Sequence, residues 1–200
     1  FKFNRAIVRN ISNSIDKAIS SKNIHPSPKK IKISHNVYKK YLEYSGLKII
    51  SLKALENYPD STFVEDPAVI FENNLILLKS GIKSRIGEGK ILLDDIDYLF
   101  DNNFEIKKGI IEGGDILKLN NHFIIGLSSR TNIIGAKELE KILLEIGATC
   151  EITNTPKNIL HFKSYCSALD DNSILLTKQM KSEINLKKKY NFIEVSEGEE

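Results

Sequence analysis

Apolar runs in this chain come in pairs, with a polar dipeptide between the two members of each pair. The three pairs read PAVIFENNLILL at 67–78, DILKLNNHFIIGLS at 115–128 and YCSALDDNSILLTK at 165–178. The dipeptides Asn73-Asn74, Asn120-Asn121 and Asp171-Asn172 contain residues that tolerate the positive φ of a tight turn. Each pair is therefore predicted to form a β-hairpin.

A segment of helical periodicity follows each hairpin. These segments are Gly89–Phe100, Ala136–Gly147 and Lys178–Leu186, and Gly147 stands where a helix C-terminus takes glycine. The N-terminal region predicts a partial unit of the same kind, with a strand at Phe3–Val8, a helix at His35–Ser45 and a strand at Leu47–Leu52. The predicted repeat is hairpin, helix, strand, with a period of about 50 residues.

A unit of this size cannot bury its own apolar face, so the repeat predicts a propeller or another closed array. About four units are visible, and the last one runs through a strand at Phe192–Val195 into the acidic residues Glu197–Glu200. We therefore expect one domain over residues 1–200 that is one unit short at its C-terminal end. An incomplete array exposes a strand edge, and a second copy of the chain could cover that edge. A homodimer is therefore one candidate assembly.

Composition narrows the class of protein. Hydrophobic residues make up 41% of the chain, and the net charge of +3 is too small to favour nucleic acid as a partner. Two cysteines and four scattered histidines do not form a metal-binding motif, so a tightly bound metal is not expected. No apolar run reaches the length of about 18 residues that a membrane span needs, and a cytoplasmic location is expected.

The segment Asn10–Pro28 is rich in serine, asparagine and lysine and carries two prolines. This composition predicts a mobile surface segment, either a plain loop or a lid over a site.

Candidate chemistry begins with three acids around one aromatic ring. Asp60, Glu65 and Asp66 lie within seven residues of one another beside Phe63. Their mutual repulsion favours a cationic ligand, and a planar guanidinium pairs well with carboxylates, although turn and capping chemistry would also account for such acids. The arginines Arg85 and Arg130 follow hairpins, where they could clamp a carboxylate or form surface ion pairs.

His161 precedes the third hairpin and Glu112 precedes the second, so both occupy equivalent positions in successive units. A histidine in such a place is either a satisfied, partly buried side chain or a general acid and base oriented by a carboxylate, for which Glu112 is the candidate. Cys166 lies five residues after His161 in an alternating strand pattern, which favours a buried core cysteine over a nucleophile. Glu151 is expected to raise the pKa of the other cysteine, Cys150.

Several of these segments together resemble dimethylarginine dimethylaminohydrolases, which belong to the guanidine-modifying pentein superfamily. The segments that carry the resemblance are Ala6–Arg9, Pro59–Val69, Gly81–Glu88, Glu112–Leu117, Gly126–Asn132 and Leu160–Ser164. The resemblance implies an α/β fold, a pentein-type α/β propeller of ββαβ-like repeats, with about four of its five blades present.

The resemblance also implies an activity, the hydrolysis of N-methylated arginine to citrulline and a methylamine through a covalent intermediate on a cysteine. Glu65 and Asp66 would hold the guanidinium, Phe63 would line the pocket and Asp60 would meet the α-amino group. Arg85 and Arg130 would meet the α-carboxylate. His161 would transfer protons and Glu112 would orient it. A reaction of this kind would require no metal or organic cofactor.

In the family, the nucleophilic cysteine lies in the last blade, and Cys166 does not match its position. We therefore expect the nucleophile to lie outside these 200 residues and the chain as given to be inactive by itself. Arginine deiminase activity, amidinotransferase activity and non-catalytic arginine binding by a relative that lacks the thiol are also compatible with the sequence.

Overall fold

The computed structural model of the protein describes residues 3–20 and 27–195. The α-helices are α1 (Pro28–Tyr44), α2 (Glu88–Ile96), α3 (Ile133–Glu145) and α4 (Lys178–Glu183). The strands are β1 (Arg5–Arg9), β2 (Lys48–Leu52), β3 (Ala68–Phe71), β4 (Asn74–Leu77), β5 (Asn102–Glu105), β6 (Ile116–Leu119), β7 (His122–Leu127), β8 (Thr149–Asn154), β9 (Cys166–Ala168), β10 (Ser173–Leu176) and β11 (Asn191–Glu194). Short 3₁₀ helices occupy Asn13–Lys17, Lys83–Arg85, Asp97–Leu99, Gly113–Asp115 and Phe162–Ser164.

The strands form small sheets that follow one plan. In three of them an antiparallel hairpin is joined by a third, parallel strand after a helical connection, giving the sheets β3-β4-β5, β6-β7-β8 and β11-β10-β9. At the N-terminal end β1 and β2 pair in parallel on either side of α1. The predicted order of hairpin, helix and strand is confirmed, and the fold is of the mixed α/β class. Closure into a propeller, the number of blades and the homodimer stay predictions.

The turns differ in detail from the prediction. In the first hairpin the positive φ falls on Glu72, one residue before the predicted dipeptide, because the register pairs Phe71 with Asn74. In the second hairpin Asn120 has the positive φ, as expected. The third loop is longer than two residues, and Asp170 Oδ1 accepts the backbone N–H groups of Asn172 and Ser173 there.

The N-terminal segment contains a helical turn and buried side chains that its composition did not indicate. It contains the 3₁₀ helix Asn13–Lys17, and the side chains of Ile11 and Ile15 are buried. Two buried apolar side chains hold this otherwise polar segment against the fold, so residues 10–20 are not a plain surface loop. Their mobility stays a prediction. The predicted mobility of residues 21–26 lies outside the described residues, as does the acidic segment 196–200. Helix α1 begins at Pro28 instead of His35, because proline is well suited to the first turn of a helix.

The second hairpin forms the centre of the apolar core, because both of its faces are buried. One face contributes Ile116, Phe123 and Ile125 to an apolar cluster that includes the buried face of α3. The other face contributes Leu117 and Ile124 to a second cluster, which also receives β10 and α4. When both faces of a strand pair are covered, nearly all of its positions are apolar. This explains the sequences ILKL at 116–119 and FIIGL at 123–127.

The described residues divide into two compact units. The larger contains residues 65–81 and 96–195, and the smaller contains residues 3–20, 27–64 and 82–95. Within the described part of the chain, no helix is long and apolar enough to cross a membrane.

Candidate active site

His161 is the final residue before the 3₁₀ helix Phe162–Ser164, and the backbone around it is firmly held. The N–H of Phe162 donates to Asp115 Oδ1 at 2.8 Å. The imidazole packs directly on Gly114, where an added Cβ would lie 2.7 Å from His161 Cγ. The second glycine of the sequence EGGD is therefore required by the position of the histidine ring.

Glu112 is fully buried, and its carboxylate is surrounded by donors. Oε1 accepts a short hydrogen bond from the hydroxyl of Ser80, and Oε2 lies 3.3 Å from Arg130 Nη1. His161 Nε2 is 3.6 Å from the same Oε2 atom. A buried carboxylate needs such partners, because removing its charge from water is costly.

Asp115 lies against the same histidine and was not among the site residues predicted from the sequence. It is fully buried, and its Oδ2 accepts the hydroxyls of Ser128 and Thr131, both at 2.7 Å. The same oxygen lies 3.4 Å from His161 Nδ1. This separation is an ion-pair distance without hydrogen-bond geometry, and the described residues offer His161 Nδ1 no other hydrogen-bond partner.

Each nitrogen of the His161 ring therefore faces a different carboxylate. Burial by itself lowers the pKa of His161, but the close approach and charge of Asp115 together with the charges of Asp66 and Glu112 outweigh it. The net result is a pKa above the ordinary histidine value, so the protonated ring is favoured. This is the property that a proton donor at this position requires.

The loop that carries Glu65 and Asp66 lies against the same motif. Gly113 donates its N–H to Asp66 O at 3.0 Å, and a Cβ on Gly113 would clash with Glu65 O, so the first glycine allows this close approach. The Asp66 side chain is buried, and one carboxylate oxygen lies within 4.8 Å of ligand atoms of both Glu112 and His161. Glu65 is exposed and pairs with Lys163 Nζ at 3.0 Å.

The three atoms offered by Asp66, Glu112 and His161 are close enough to meet one cation. Two carboxylates and one imidazole are common metal ligands, and two carboxylates are equally suited to a guanidinium. The absence of a metal stays a prediction.

The remaining predicted binding residues belong to the smaller unit. Asp60 is buried and accepts the N–H of Ile19 at 3.1 Å. Arg85 is buried as well, and its guanidinium pairs with Glu88 at 2.7 Å and donates to the backbone oxygens of Asp60 and Phe63. Phe63 is about half exposed. These contacts fix the orientation of the Arg85 side chain. They also fix the backbone that carries the Asp60 carboxylate and the Phe63 ring.

Neither cysteine is suited to nucleophilic attack. Cys166 is buried and its Sγ donates to Phe162 O at 3.3 Å. Burial raises the pKa of Cys166 to about 12, although Lys163 opposes the shift. Burial is also the main reason that the pKa of Cys150 is raised to about 11; Glu140 adds more than Glu151, which the sequence had pointed to. A thiol with such a pKa is almost entirely protonated at neutral pH.

The structure thus groups the predicted site residues in two sets. Asp66, Glu112, Arg130 and His161 converge in the larger unit, with Glu65 beside them, and Asp60, Phe63 and Arg85 lie together in the smaller one. Asp115 belongs to the same EGGD motif as Glu112. Its position directly before the buried strand β6 is the sequence signal that could have identified it.

Comparison with known proteins shows which family this chain resembles. The family model for arginine deiminase matches residues 93–199. A dimethylarginine dimethylaminohydrolase from Pseudomonas aeruginosa is 30% identical over 200 residues, a match that covers 98% of this chain and 78% of the relative.

Two solved structures agree with this match. A dimethylarginine dimethylaminohydrolase crystallised as an adduct with S-methyl-L-thiocitrulline has a TM-score of 0.92 at 30% identity, covering 99% of this chain and 78% of that one. The Pseudomonas aeruginosa protein complexed with citrulline has a TM-score of 0.88 at 29% identity, covering 98% and 78%. The fold is thus that of the guanidine-modifying penteins. Within that class, the chain belongs to the dimethylarginine dimethylaminohydrolase family.

Proposed function

We propose that this protein hydrolyses N-methylated arginine to citrulline and a methylamine, with its nucleophile supplied from outside these 200 residues. The observation that carries the proposal is the convergence of Asp66, Glu112 and a proton-retaining His161 within 4.8 Å. Two carboxylates beside a histidine fit a cationic, resonance-stabilised group that must receive a proton on one of its nitrogens as that nitrogen leaves.

The proposed roles follow from the charge of each group. Asp66 and Glu65 pair with the guanidinium and keep it cationic, so that its central carbon stays electrophilic. A cysteine thiolate adds to that carbon, and His161 donates a proton to the methylamine as the carbon–nitrogen bond breaks. The neutral imidazole then removes a proton from water as the water oxygen bonds to the carbon. The carbon–sulfur bond breaks to return the thiolate, and loss of the hydroxyl proton to solvent gives citrulline with a neutral ureido group.

Glu112 and Asp115 act on His161 from its two ring nitrogens in this scheme. Glu112 orients the ring through Nε2, as expected from the sequence, and Asp115 faces Nδ1. Both carboxylates favour the imidazolium, which is the form that donates the first proton.

The remaining proposed roles concern recognition of the amino-acid part of the substrate and of its apolar stem. Arg85 and Arg130 bind the α-carboxylate, Asp60 binds the α-amino group and Phe63 covers the apolar stem. Arg130 pairs with Glu112 in the structure, so a contact with the substrate carboxylate would replace part of that ion pair. Arg85 is already oriented by Glu88, which lowers the entropy lost when the ligand binds.

The raised pKa values of both cysteines support a nucleophile elsewhere. If either cysteine were the nucleophile, its thiolate would have to form against burial in an apolar cluster or a strand. We further propose a cytoplasmic location, which is supported by the two free thiols.

Arginine deiminase activity is the second candidate, and the match of residues 93–199 to the arginine deiminase family model favours it. The same acids and histidine would serve, because the two reactions differ only in the leaving amine. Amidinotransferase activity and non-catalytic arginine binding would use the same acids, but no contact among the described residues favours either of them.

Citrulline release from asymmetric dimethylarginine tests the proposal. The assay compares this chain with the same chain extended through its downstream reading frame, each with and without Cys166→Ser, and uses L-arginine as the competing substrate. We expect activity only in the extended chain, a preference for the methylated substrate, and no effect of Cys166→Ser. Activity of the 200-residue chain that disappears with Cys166→Ser would overturn the assignment of the nucleophile, and a preference for L-arginine would favour the deiminase.

A further inference from the structure

The ion pair between Lys163 and Glu65 has no role in the proposed reaction, although it lies at the edge of the reacting groups. Lys163 stands two residues after His161, in the 3₁₀ helix that follows it, and its Nζ is 3.0 Å from Glu65 Oε2. Glu65 is the neighbour of Asp66, whose carboxylate belongs to the buried cluster. The pair therefore joins the histidine segment to the acid segment.

Both ends of this pair stand on fixed backbone. Phe162 is tied to Asp115 through its N–H, and the N–H of Ser164 donates to His161 O at 3.0 Å. On the other side, the backbone of Glu65 packs against Gly113 at a distance that excludes any side chain there. The fixed backbone on both sides therefore brings the two side chains together, although both side chains are partly exposed.

The charges of the cluster show what Lys163 contributes. The carboxylates of the larger unit at this site are Glu65, Asp66, Glu112 and Asp115. Among the described residues, Arg130 pairs with Glu112 and Lys163 pairs with Glu65. The Lys163 ammonium partly neutralises Glu65, the acid that is expected to receive a guanidinium. Two cations cannot occupy one exposed carboxylate with full strength, so a ligand and Lys163 compete for Glu65.

We propose that Lys163 is an internal competitor for Glu65, which a cationic arginine-type substrate displaces and which pairs with Glu65 again once the product is neutral. This inference rests on the proposed function. Methylated arginine carries one positive charge on its guanidinium, and hydrolysis transfers that charge to the departing methylammonium, which leaves citrulline with an uncharged ureido group. Lys163 thus weakens binding of the substrate without weakening binding of the product, and it compensates Glu65 when the substrate charge is lost.

The effect on affinity follows from this exchange. Binding of a cationic ligand must break the Lys163–Glu65 pair, whereas binding of citrulline leaves it in place. Removal of Lys163 should therefore tighten binding of asymmetric dimethylarginine by about two- to fivefold, the range expected for one exposed ion pair, and leave citrulline affinity unchanged. The gain should shrink at high ionic strength, because salt screens exposed charges.

Calorimetric titration of the 200-residue chain with asymmetric dimethylarginine and with citrulline tests the proposal. The variants are Lys163→Met, Glu65→Gln and the double variant, with Lys141→Met on the exposed surface of α3 as a control for the loss of one positive charge. We expect Lys163→Met to tighten binding of the cationic ligand alone, Lys141→Met to have no effect, and the gain to vanish in the Glu65→Gln background.

Unchanged or weaker binding in Lys163→Met would overturn this inference, and so would an equal gain for citrulline. A gain that persists without Glu65 would also overturn it, because the competition would then involve another acid. These outcomes leave the proposed function intact. Failure of the wild-type chain to bind either ligand would count against both proposals.

Discussion

His161 is held between two carboxylates that come from the same short turn of the chain. Glu112 and Asp115 flank two glycines, and the 3₁₀ turn Gly113–Asp115 directs both side chains toward the ring. The sequence pointed to Glu112 as the orienting acid. It did not identify Asp115, because an aspartate before a buried strand is as easily explained by turn chemistry.

Replacing Asp115 by asparagine should lower the pKa of His161. Asparagine keeps an acceptor for the N–H of Phe162, and the hydroxyls of Ser128 and Thr131 can rotate to accept from its amide group, so the site should remain folded. The charge next to His161 Nδ1 is lost, however. An NMR titration of the imidazole protons measures the shift, with the His161 signal assigned through His161→Gln.

The free energy of unfolding should decrease as the pH rises through the native pKa of His161. Because the native pKa of His161 lies above its ordinary value of about 6.5, the folded state binds the proton more tightly than the unfolded chain does. The stabilisation is complete below the unfolded pKa and is lost as pH rises through the native pKa. Urea unfolding from about pH 5 to 8 should show this loss in the wild type and in Asp171→Asn, a control at an exposed acid, and less of it in Asp115→Asn. An unchanged titration of His161 in Asp115→Asn would contradict the role of the carboxylate.

At the scale of the elements, the start of α3 connects secondary structure to the site. Asn132 caps this helix, and its Oδ1 accepts from Gly135 N at 2.9 Å and from Ile110 N at 3.2 Å. The two residues before the cap are Arg130 and Thr131, which contact Glu112 and Asp115. The helix cap therefore helps to place the partners of both buried acids.

Substitution of Asn132 by alanine should lower the free energy of unfolding by about 1–3 kcal/mol, because the helix loses its cap and the N–H of Ile110 loses its acceptor. Urea denaturation measures this change. Asn132→Asp is the matched control, since it retains an acceptor oxygen and should keep most of the stability. Equal stability of the alanine variant and the wild type would show that the cap is replaced by water at little cost.

At the scale of the whole molecule, the stability of the larger unit depends on the doubly covered hairpin β6-β7. Phe123 is buried in one of its two clusters and packs edge to face against Phe71, with ring centroids 5.6 Å apart. Lys118 Nζ lies 5.1 Å and 5.9 Å from the centroids of the Phe71 and Phe123 rings. The two rings thus connect the sheet β3-β4-β5 with the sheet β6-β7-β8, and the Lys118 ammonium lies close to both of them.

Phe123→Ala should lower the free energy of unfolding by about 3–5 kcal/mol, because it removes a large buried side chain and leaves a cavity in close-packed surroundings. Leu144→Ala on the exposed face of α3 serves as the control and should change stability by about 0.5 kcal/mol or less. Both values come from urea denaturation followed by circular dichroism. A small effect of Phe123→Ala would mean that the two sheets do not share one apolar cluster in solution.

The sequence by itself determined the repeating plan of the molecule, because hydrophobic periodicity and turn residues are local properties. It identified the three hairpins, the helices after them and the C-terminal glycine of α3, whose φ of +83° confirms the expected cap. The family resemblance, also read from the sequence, is confirmed by the comparisons. Element ends were less well predicted, as α1 shows, since capping and tertiary contacts decide where a helix begins.

Only the tertiary structure decided how the charged groups are paired. Asp115 at Nδ1 of His161, Ser80 on Glu112 and Lys163 on Glu65 are contacts between segments far apart in the sequence. The raised pKa values of both cysteines likewise depend mainly on burial, which no local pattern specifies quantitatively. The sign and strength of an electrostatic interaction depend on distance and solvent exposure, and these exist only once the chain has folded.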